Sequence, residues 1–135
     1  MIRIFKNSRD LSQAAAQIFI ETALEAIEEK GSFYVALTGG TSPLKLYHLL
    51  GSPEFRDKIP WEKVFIFWGD ERWVEQEDER SNAKMAFESF LNLLPIPKDQ
   101  IFPMWEKGAN PEDFAHHYEQ ILQHSLGIMG IFDLI

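Results

Sequence analysis

The chain contains no cysteine among its 135 residues. Disulfide bonds and metal sites built on thiolates are therefore excluded within it, and we expect a cytoplasmic protein. Long apolar runs are absent too, since none approaches the roughly 18 residues that a membrane-spanning helix needs. Residues 1–6 alternate apolar and basic side chains, which is not the pattern of a signal peptide. No membrane partner is expected.

Positive charge is also scarce, with 13 lysines and arginines against 21 acidic residues and a formal net charge of -8. A negatively charged surface repels nucleic acids and anionic membranes, so neither is an expected partner. An anionic small molecule is repelled at long range as well. A site for such a ligand must therefore be made locally, from oriented N–H groups and a well-placed cation.

The chain has 4 histidines, and none of them has the spacing of a metal ligand pair. His116 and His117 are adjacent on a predicted helix, so their side chains diverge by about 100°. His117 and His124 share a face but lie roughly 10 Å apart along the axis, too far to hold one ion. We expect no metal and no cofactor, and interpret His48 as a partly buried structural residue.

Apolar runs of strand length alternate with helical patterns along the whole chain. The runs at 33–37 and 64–68 are continuously apolar, which is typical of strands covered on both faces of a parallel sheet. This order predicts one α/β domain over residues 1–135, with an open, mostly parallel sheet and helices on both faces. Further short strands are predicted at 2–5, 101–102 and 131–135, and helices are predicted to start at Asp10, about Ser42, Ser81 and Asn110.

Residues 38–43 follow the first apolar run directly and have the sequence Thr-Gly-Gly-Thr-Ser-Pro. Gly39 and Gly40 let the backbone approach a ligand closely, and Thr41 and Ser42 add hydroxyl donors. Together with the N-terminus of the following helix, the free N–H groups make a cradle suited to phosphate. An ordinary strand-to-helix turn has a similar composition, so that alternative stays open. The loop matches neither the dinucleotide fingerprint nor the Walker A loop.

A second unusual loop follows the run at 64–68 and begins Gly-Asp-Glu-Arg. The planar guanidinium of Arg72 suits bidentate contact with phosphate or carboxylate. Asp70 and Glu71 are interpreted as orienting Arg72 or binding sugar hydroxyls, with a solvated loop as the alternative. Because ligands of open α/β sheets bind beyond the carboxyl ends of the strands, both loops are expected at one site. Residues 75–80 are interpreted as solvated surface, and the flanking tryptophans as packing residues.

These loops, at their spacing from Ser81 and Asn82, resemble the 6-phosphogluconolactonase family. The resemblance is carried by residues 35–43, 67–74 and 81–82, with weaker support at 101–104. The family more often has serine at the position of Thr38, and it reverses the two hydroxyl residues that follow Gly40. Related sugar-phosphate isomerases and deaminases share the glycine loop, whereas the Asp-Glu-Arg and Ser-Asn motifs favour the lactonases.

The resemblance implies a Rossmann-like sheet and the hydrolysis of 6-phosphoglucono-δ-lactone to 6-phosphogluconate, in the oxidative pentose phosphate pathway, without a cofactor. By position it assigns phosphate and substrate contacts to Gly39, Gly40, Thr41, Ser42, Asp70, Glu71, Arg72, Ser81 and Asn82.

The family's catalytic histidine lies in a Gly-Met-Gly-x-Asp-Gly-His segment that would follow Ile135, so no catalytic residue is expected within the chain. We therefore expect an incomplete, truncated domain that binds the phosphosugar with little or no lactonase activity of its own. It is also expected to self-associate through an exposed sheet edge. The open alternatives are a non-catalytic binding fragment and a glucosamine-6-phosphate deaminase or isomerase relative.

Overall fold

A computed structural model describes residues 2–135 and shows a sheet of two adjacent parallel strands. The elements are α1 (Ser8–Lys30), β1 (Phe33–Leu37), α2 (Leu44–Leu50), β2 (Val64–Trp68), α3 (Asn82–Ser89) and α4 (Pro111–Leu126). Single turns of 3₁₀ helix lie at Arg56–Lys58, Trp61–Lys63, Leu91–Leu93 and Lys98–Gln100. No helix in the described part of the chain is long and apolar enough to cross a membrane.

The sheet is extended on each side by an isolated parallel bridge. β1 and β2 pair in register from Phe33 with Val64 onward. Leu134 bridges to β1, and Ile101 bridges to β2. The predicted strands at 101–102 and 131–135 therefore lie in the sheet, but each is reduced to a single bridge.

Alternating side chains of the two strands face two separate helical layers. One face packs against α1, α2 and α3 and forms the larger core, to which the strands contribute Phe33, Val35, Leu37, Val64, Ile66 and Trp68. On the other face, Phe67 packs with Phe114 and Tyr118 of α4. The Tyr118 hydroxyl donates to the carbonyl of Phe102 at 2.8 Å. The predicted α/β fold with helices on both faces is confirmed.

Several helix ends form as the sequence predicts because their caps are local. Gly31 ends α1 in the left-handed conformation, with φ of 82°. Ser81 caps α3 by accepting a hydrogen bond from the N–H of Lys84 at 3.1 Å. Asn110 caps α4, and Pro111 occupies its first position.

The prediction that Asp10 caps the first helix is wrong. The cap is Asn7, whose side-chain oxygen accepts from the N–H of Asp10 at 2.9 Å, so α1 starts earlier. The prediction of a strand at 2–5 is also wrong, because this segment has no strand pairing within residues 2–135 and Ile2 and Ile4 are exposed. Apolar residues recur at helical spacing along α1, but not all of them are buried, since Leu11 and Ile18 are solvent-exposed.

The two short helices also differ from prediction. α2 begins at Leu44 instead of about Ser42, because Pro43 takes the cap position without a side-chain cap. Pro95 and Pro97 predict that the helix begun by Ser81 continues to about residue 94, but α3 ends at Ser89 and Leu91–Leu93 forms a separate 3₁₀ turn.

Candidate functional site

The carboxyl ends of β1 and β2 lie side by side, as the site prediction requires. Leu37 and Trp68 are partners in the parallel register. The N–H of Gly69 donates to the carbonyl of Leu37 at 2.9 Å, which extends the pairing into the second loop. Residues 38–43 and 69–80 therefore leave the sheet at the same edge, where open α/β sheets bind ligands.

Asn82, the buried first residue of α3, connects the two loops. Its Nδ2 donates to the carbonyl of Asp70 at 3.1 Å and lies 3.4 Å from Asp70 Oδ1. On its other side, the same side chain packs against Gly39. A Cβ atom on Gly39 would lie only 1.9 Å from Asn82 Oδ1, so only glycine fits there. The structure thus brings Gly39, Asp70 and Asn82 together.

The rest of the glycine loop remains available to a ligand. Gly40 adopts a φ of 82°, a conformation that favours glycine, and Thr41 and Ser42 are exposed. Within residues 2–135, the N–H groups of residues 39–42 have no hydrogen-bond acceptor. Because α2 is a helix of 7 residues that starts only at Leu44, the predicted anion cradle would consist of loop N–H groups more than of the helix end.

The carboxylate of Glu71 accepts hydrogen bonds at the N-terminus of α3. Its Oε1 accepts from the N–H groups of Arg72 and Asn82, both at 2.7 Å. Its Oε2 accepts from the N–H of Ala83 at 2.8 Å and from the hydroxyl of Ser81 at 3.2 Å. A carboxylate is favoured at a helix N-terminus, and four donors occupy its oxygen lone pairs. This arrangement favours a role for Glu71 in holding the loop to α3.

Arg72 is exposed, and its guanidinium makes no ion pair or hydrogen bond within residues 2–135. Arg80, in the same loop, is instead paired with Asp78 through contacts of 3.0 and 2.8 Å. Hydrogen bonds from Arg80 lower the pKa of Asp78 to about 2. Of these two arginines, Arg72 is the one free to meet an anion.

Sequence reasoning missed Tyr47, which contacts the start of the glycine loop. Its hydroxyl donates to the carbonyl of Thr38 at 2.8 Å and accepts from the Thr38 N–H at 3.1 Å. Its ring stacks on Phe90 with centroids 4.8 Å apart. Burial raises the pKa of Tyr47, against the opposing effect of the Thr38 hydrogen bond, so the hydroxyl keeps its proton at neutral pH. The signal in the sequence is a tyrosine on a predicted helix, since a tyrosine hydroxyl that becomes buried requires a hydrogen-bond partner.

The side chains of His48, Trp68 and Trp73 make none of the hydrogen bonds of this network. His48 is exposed instead of partly buried, because the buried side of α2 carries Tyr47 and Leu50. Within residues 2–135, no group of three or more histidine, aspartate or glutamate side chains is arranged to hold a metal ion. Trp68 is buried against Phe87, and the ring of Trp73 packs against that of Phe114, as expected for packing residues.

Comparisons with known proteins identify the family of this chain. The family model described as glucosamine-6-phosphate isomerases/6-phosphogluconolactonase matches residues 6–135. The 6-phosphogluconolactonase of Synechocystis sp. is 40% identical over 131 residues, covering 88% of this chain and 53% of that protein. That of Mycobacterium tuberculosis is 34% identical over 128 residues, covering 92% and 51%.

A solved structure of 6-phosphogluconolactonase from Trypanosoma brucei superimposes with a TM-score of 0.76 at 26% identity, covering 92% of this chain and 50% of that one. The chain thus spans about half the length of the relatives it matches. Its fold defines an α/β protein in which two loops meet at the carboxyl edge of a parallel sheet. The chain belongs to the family of glucosamine-6-phosphate isomerases and 6-phosphogluconolactonases.

Proposed function

We propose that this chain binds 6-phosphoglucono-δ-lactone and takes part in its hydrolysis to 6-phosphogluconate. The observation that carries the proposal is the bridge made by Asn82, which holds the glycine loop and the Arg72 loop at one edge of the sheet. That edge then offers both the free N–H groups of residues 39–42 and a free guanidinium. These are the groups that bind a phosphate dianion.

The relatives favour a lactonase over an isomerase or deaminase. The curated relatives from Synechocystis sp. and Mycobacterium tuberculosis carry the name 6-phosphogluconolactonase, at 40% and 34% identity.

The cytoplasmic location predicted from the cysteine-free composition is part of the same proposal.

Hydrolysis of the lactone requires water to add to the ring carbonyl and the ring C–O bond to break, which releases a hydroxyl and a carboxylate. The phosphate is remote from this reacting centre, so its binding energy serves to anchor and orient the lactone. The resemblance assigns the general base to a histidine in a motif that residues 1–135 do not contain. The part proposed for these residues is therefore anchoring.

The site must attract an anion although the chain carries a formal net charge of -8. Two acids flank Arg72 in the loop. The charge of Glu71 is directed at the N-terminus of α3, with four hydrogen bonds donated to its carboxylate, and Asp70 Oδ1 lies 3.4 Å from the amide nitrogen of Asn82. The N–H groups of the glycine loop point to no protein acceptor within residues 2–135. The N–H donors of the glycine loop thus attract an anion locally, against the long-range repulsion from the net negative charge.

Arg72→Ala is expected to weaken binding of 6-phosphogluconate by about 10- to 100-fold, since a hydrogen-bonded charge contact is worth about 1.5–3 kcal/mol. Arg72→Lys keeps the charge but loses the planar fork, so its affinity should be intermediate. Isothermal titration calorimetry of the 135-residue chain at one fixed ionic strength measures the affinities of both variants and of the wild type.

Arg80→Ala is the matched control, because Arg80 lies in the same loop but is paired with Asp78. Its affinity for 6-phosphogluconate should equal that of the wild-type chain. Equal losses in the Arg72 and Arg80 variants would indicate a non-specific charge effect and contradict the assignment of Arg72.

The proposal includes self-association at the sheet edge next to Leu134. Apolar side chains near this bridge are exposed, namely Ile128, Met129, Ile131 and Ile135. Exposed apolar surface beside an open edge favours pairing between copies. Ile131→Lys with Ile135→Lys should weaken self-association by about tenfold or more in sedimentation velocity. Leu93→Lys, at an exposed leucine elsewhere, should not; a wild-type chain that stays monomeric at high micromolar concentration contradicts the prediction.

A further inference from the structure

The Tyr47 hydroxyl occupies both backbone polar groups of Thr38. It donates to the Thr38 carbonyl at 2.8 Å and accepts from the Thr38 N–H at 3.1 Å. The side chain is only 2% exposed, and its ring is held by stacking on Phe90 beside α3. A rigid, buried side chain of α2 thus reaches back to the residue at which the chain leaves β1.

This contact lies immediately before the two glycines of the loop. Gly39 is confined by Asn82, and the N–H groups of residues 39–42 have no acceptor within the described chain. Glycines have the largest backbone freedom, so a Gly-Gly segment presents its N–H groups in one direction only if its flanks are fixed. Tyr47 fixes the segment at its start, and Asn82 fixes it from the side of α3.

We propose that Tyr47 is a positioning residue that holds the glycine loop in its anion-binding conformation. The inference rests on the proposed function, since it assumes that the loop binds the phosphate group. Tyr47 does not contact the phosphosugar in this proposal, because its hydroxyl is already used by Thr38. It acts through the loop backbone and affects phosphate recognition more than binding of the sugar carbons.

The test compares Tyr47→Phe with the wild-type chain for two ligands, 6-phosphogluconate and gluconate. Phenylalanine keeps the ring on Phe90 and removes only the hydroxyl. The ratio of the two affinities, which reports recognition of the phosphate, is expected to fall about fivefold to tenfold in the variant. A purely structural loss of stability would leave this ratio unchanged once the protein is folded, as checked by near-UV circular dichroism.

Tyr118→Phe is the matched control, because Tyr118 is also a buried tyrosine whose hydroxyl donates to a backbone carbonyl at 2.8 Å. That carbonyl belongs to Phe102, and the Tyr118 hydroxyl also accepts from the N–H of Trp68 at 3.5 Å; neither group belongs to the glycine loop. Tyr118→Phe should lose stability but keep the affinity ratio. A similar fall of the ratio in both variants, or an unchanged ratio in Tyr47→Phe, overturns the positioning role.

A wild-type chain without preference for 6-phosphogluconate over gluconate overturns the proposed function itself, and the positioning role with it. A phosphate preference in Tyr47→Phe equal to that of the wild-type chain overturns the positioning role alone. If Tyr47→Phe does not fold, 4-aminophenylalanine at position 47 decides the question, since its amine still donates to the Thr38 carbonyl but accepts poorly. The affinity ratio should then fall below that of the wild-type chain, because the bond accepted from the Thr38 N–H is weakened. A ratio equal to that of the wild type overturns the inference.

Discussion

Gly39→Ala is expected to lower the affinity for 6-phosphogluconate about 50-fold and to destabilise the fold. The new Cβ would lie 1.9 Å from Asn82 Oδ1 and 2.2 Å from its Cγ, so one side must move. Movement of Asn82 breaks its hydrogen bond to Asp70, and movement of the loop redirects the N–H groups of residues 39–42. Overpacking of this kind costs about 1–3 kcal/mol, and here most of it falls on the binding site.

The measurement is calorimetric titration together with urea unfolding of Gly39→Ala and Gly69→Ala. Gly69 lies in the neighbouring loop, where a Cβ would meet only the Leu37 carbonyl oxygen at an ordinary 3.7 Å, so this control should bind normally. In the double variant Gly39→Ala/Asn82→Ala, the space is restored but the bridge is not. Stability should recover only in part, because the hydrogen bond from Asn82 to Asp70 stays lost, and affinity should stay low. Wild-type affinity in Gly39→Ala alone would show that the close approach of Gly39 is not needed.

The parts of the fold that the sequence predicts are those fixed by neighbouring residues. The start of α4 at Asn110 and Pro111 depends on an N-cap and a preset φ angle, both of which act within one turn. The central strands are continuous apolar runs, and their identity follows from burial on both faces. In the same way, the order of strands and helices limits the sheet to a few topologies.

Other features depend on contacts between distant segments, which no local pattern encodes. The fit of Asn82 against Gly39 is one example, because it requires the relative placement of α3 and the glycine loop. The edge strands are another, since the extent of pairing of Leu134 or Ile101 depends on how closely those segments approach the sheet. Asn7 and Asp10 show a subtler limit, since both can cap and only the folded geometry selects one.

The same limit applies to roles within one motif. Asp70, Glu71 and Arg72 are consecutive, and the family resemblance treats all three as ligand contacts. In the structure, Glu71 is satisfied by α3, Asp70 accepts from Asn82, and Arg72 remains free. A short motif can therefore contain a candidate binding residue together with residues that contact the rest of the fold.

Glu71→Gln is expected to destabilise the chain by about 2–4 kcal/mol, because it removes a charge from the N-terminus of α3 and presents an amide donor to backbone donors. Of the N–H groups of Arg72, Asn82 and Ala83, at least one loses its acceptor. Urea unfolding monitored by tryptophan fluorescence measures the effect. Glu77→Gln, at an exposed acid of the same loop, should change stability by less than about 0.5 kcal/mol.

The binding data for Glu71→Gln distinguish the two roles considered for this carboxylate. If Glu71 acts by holding the loop, affinity for gluconate and for 6-phosphogluconate should fall together with stability, and conditions that restabilise the fold should restore both. If Glu71 instead contacts sugar hydroxyls, as the motif alone suggests, affinity should fall while the unfolding free energy stays at the wild-type value. The four hydrogen bonds that its carboxylate accepts at the start of α3 and from the loop backbone favour the first outcome.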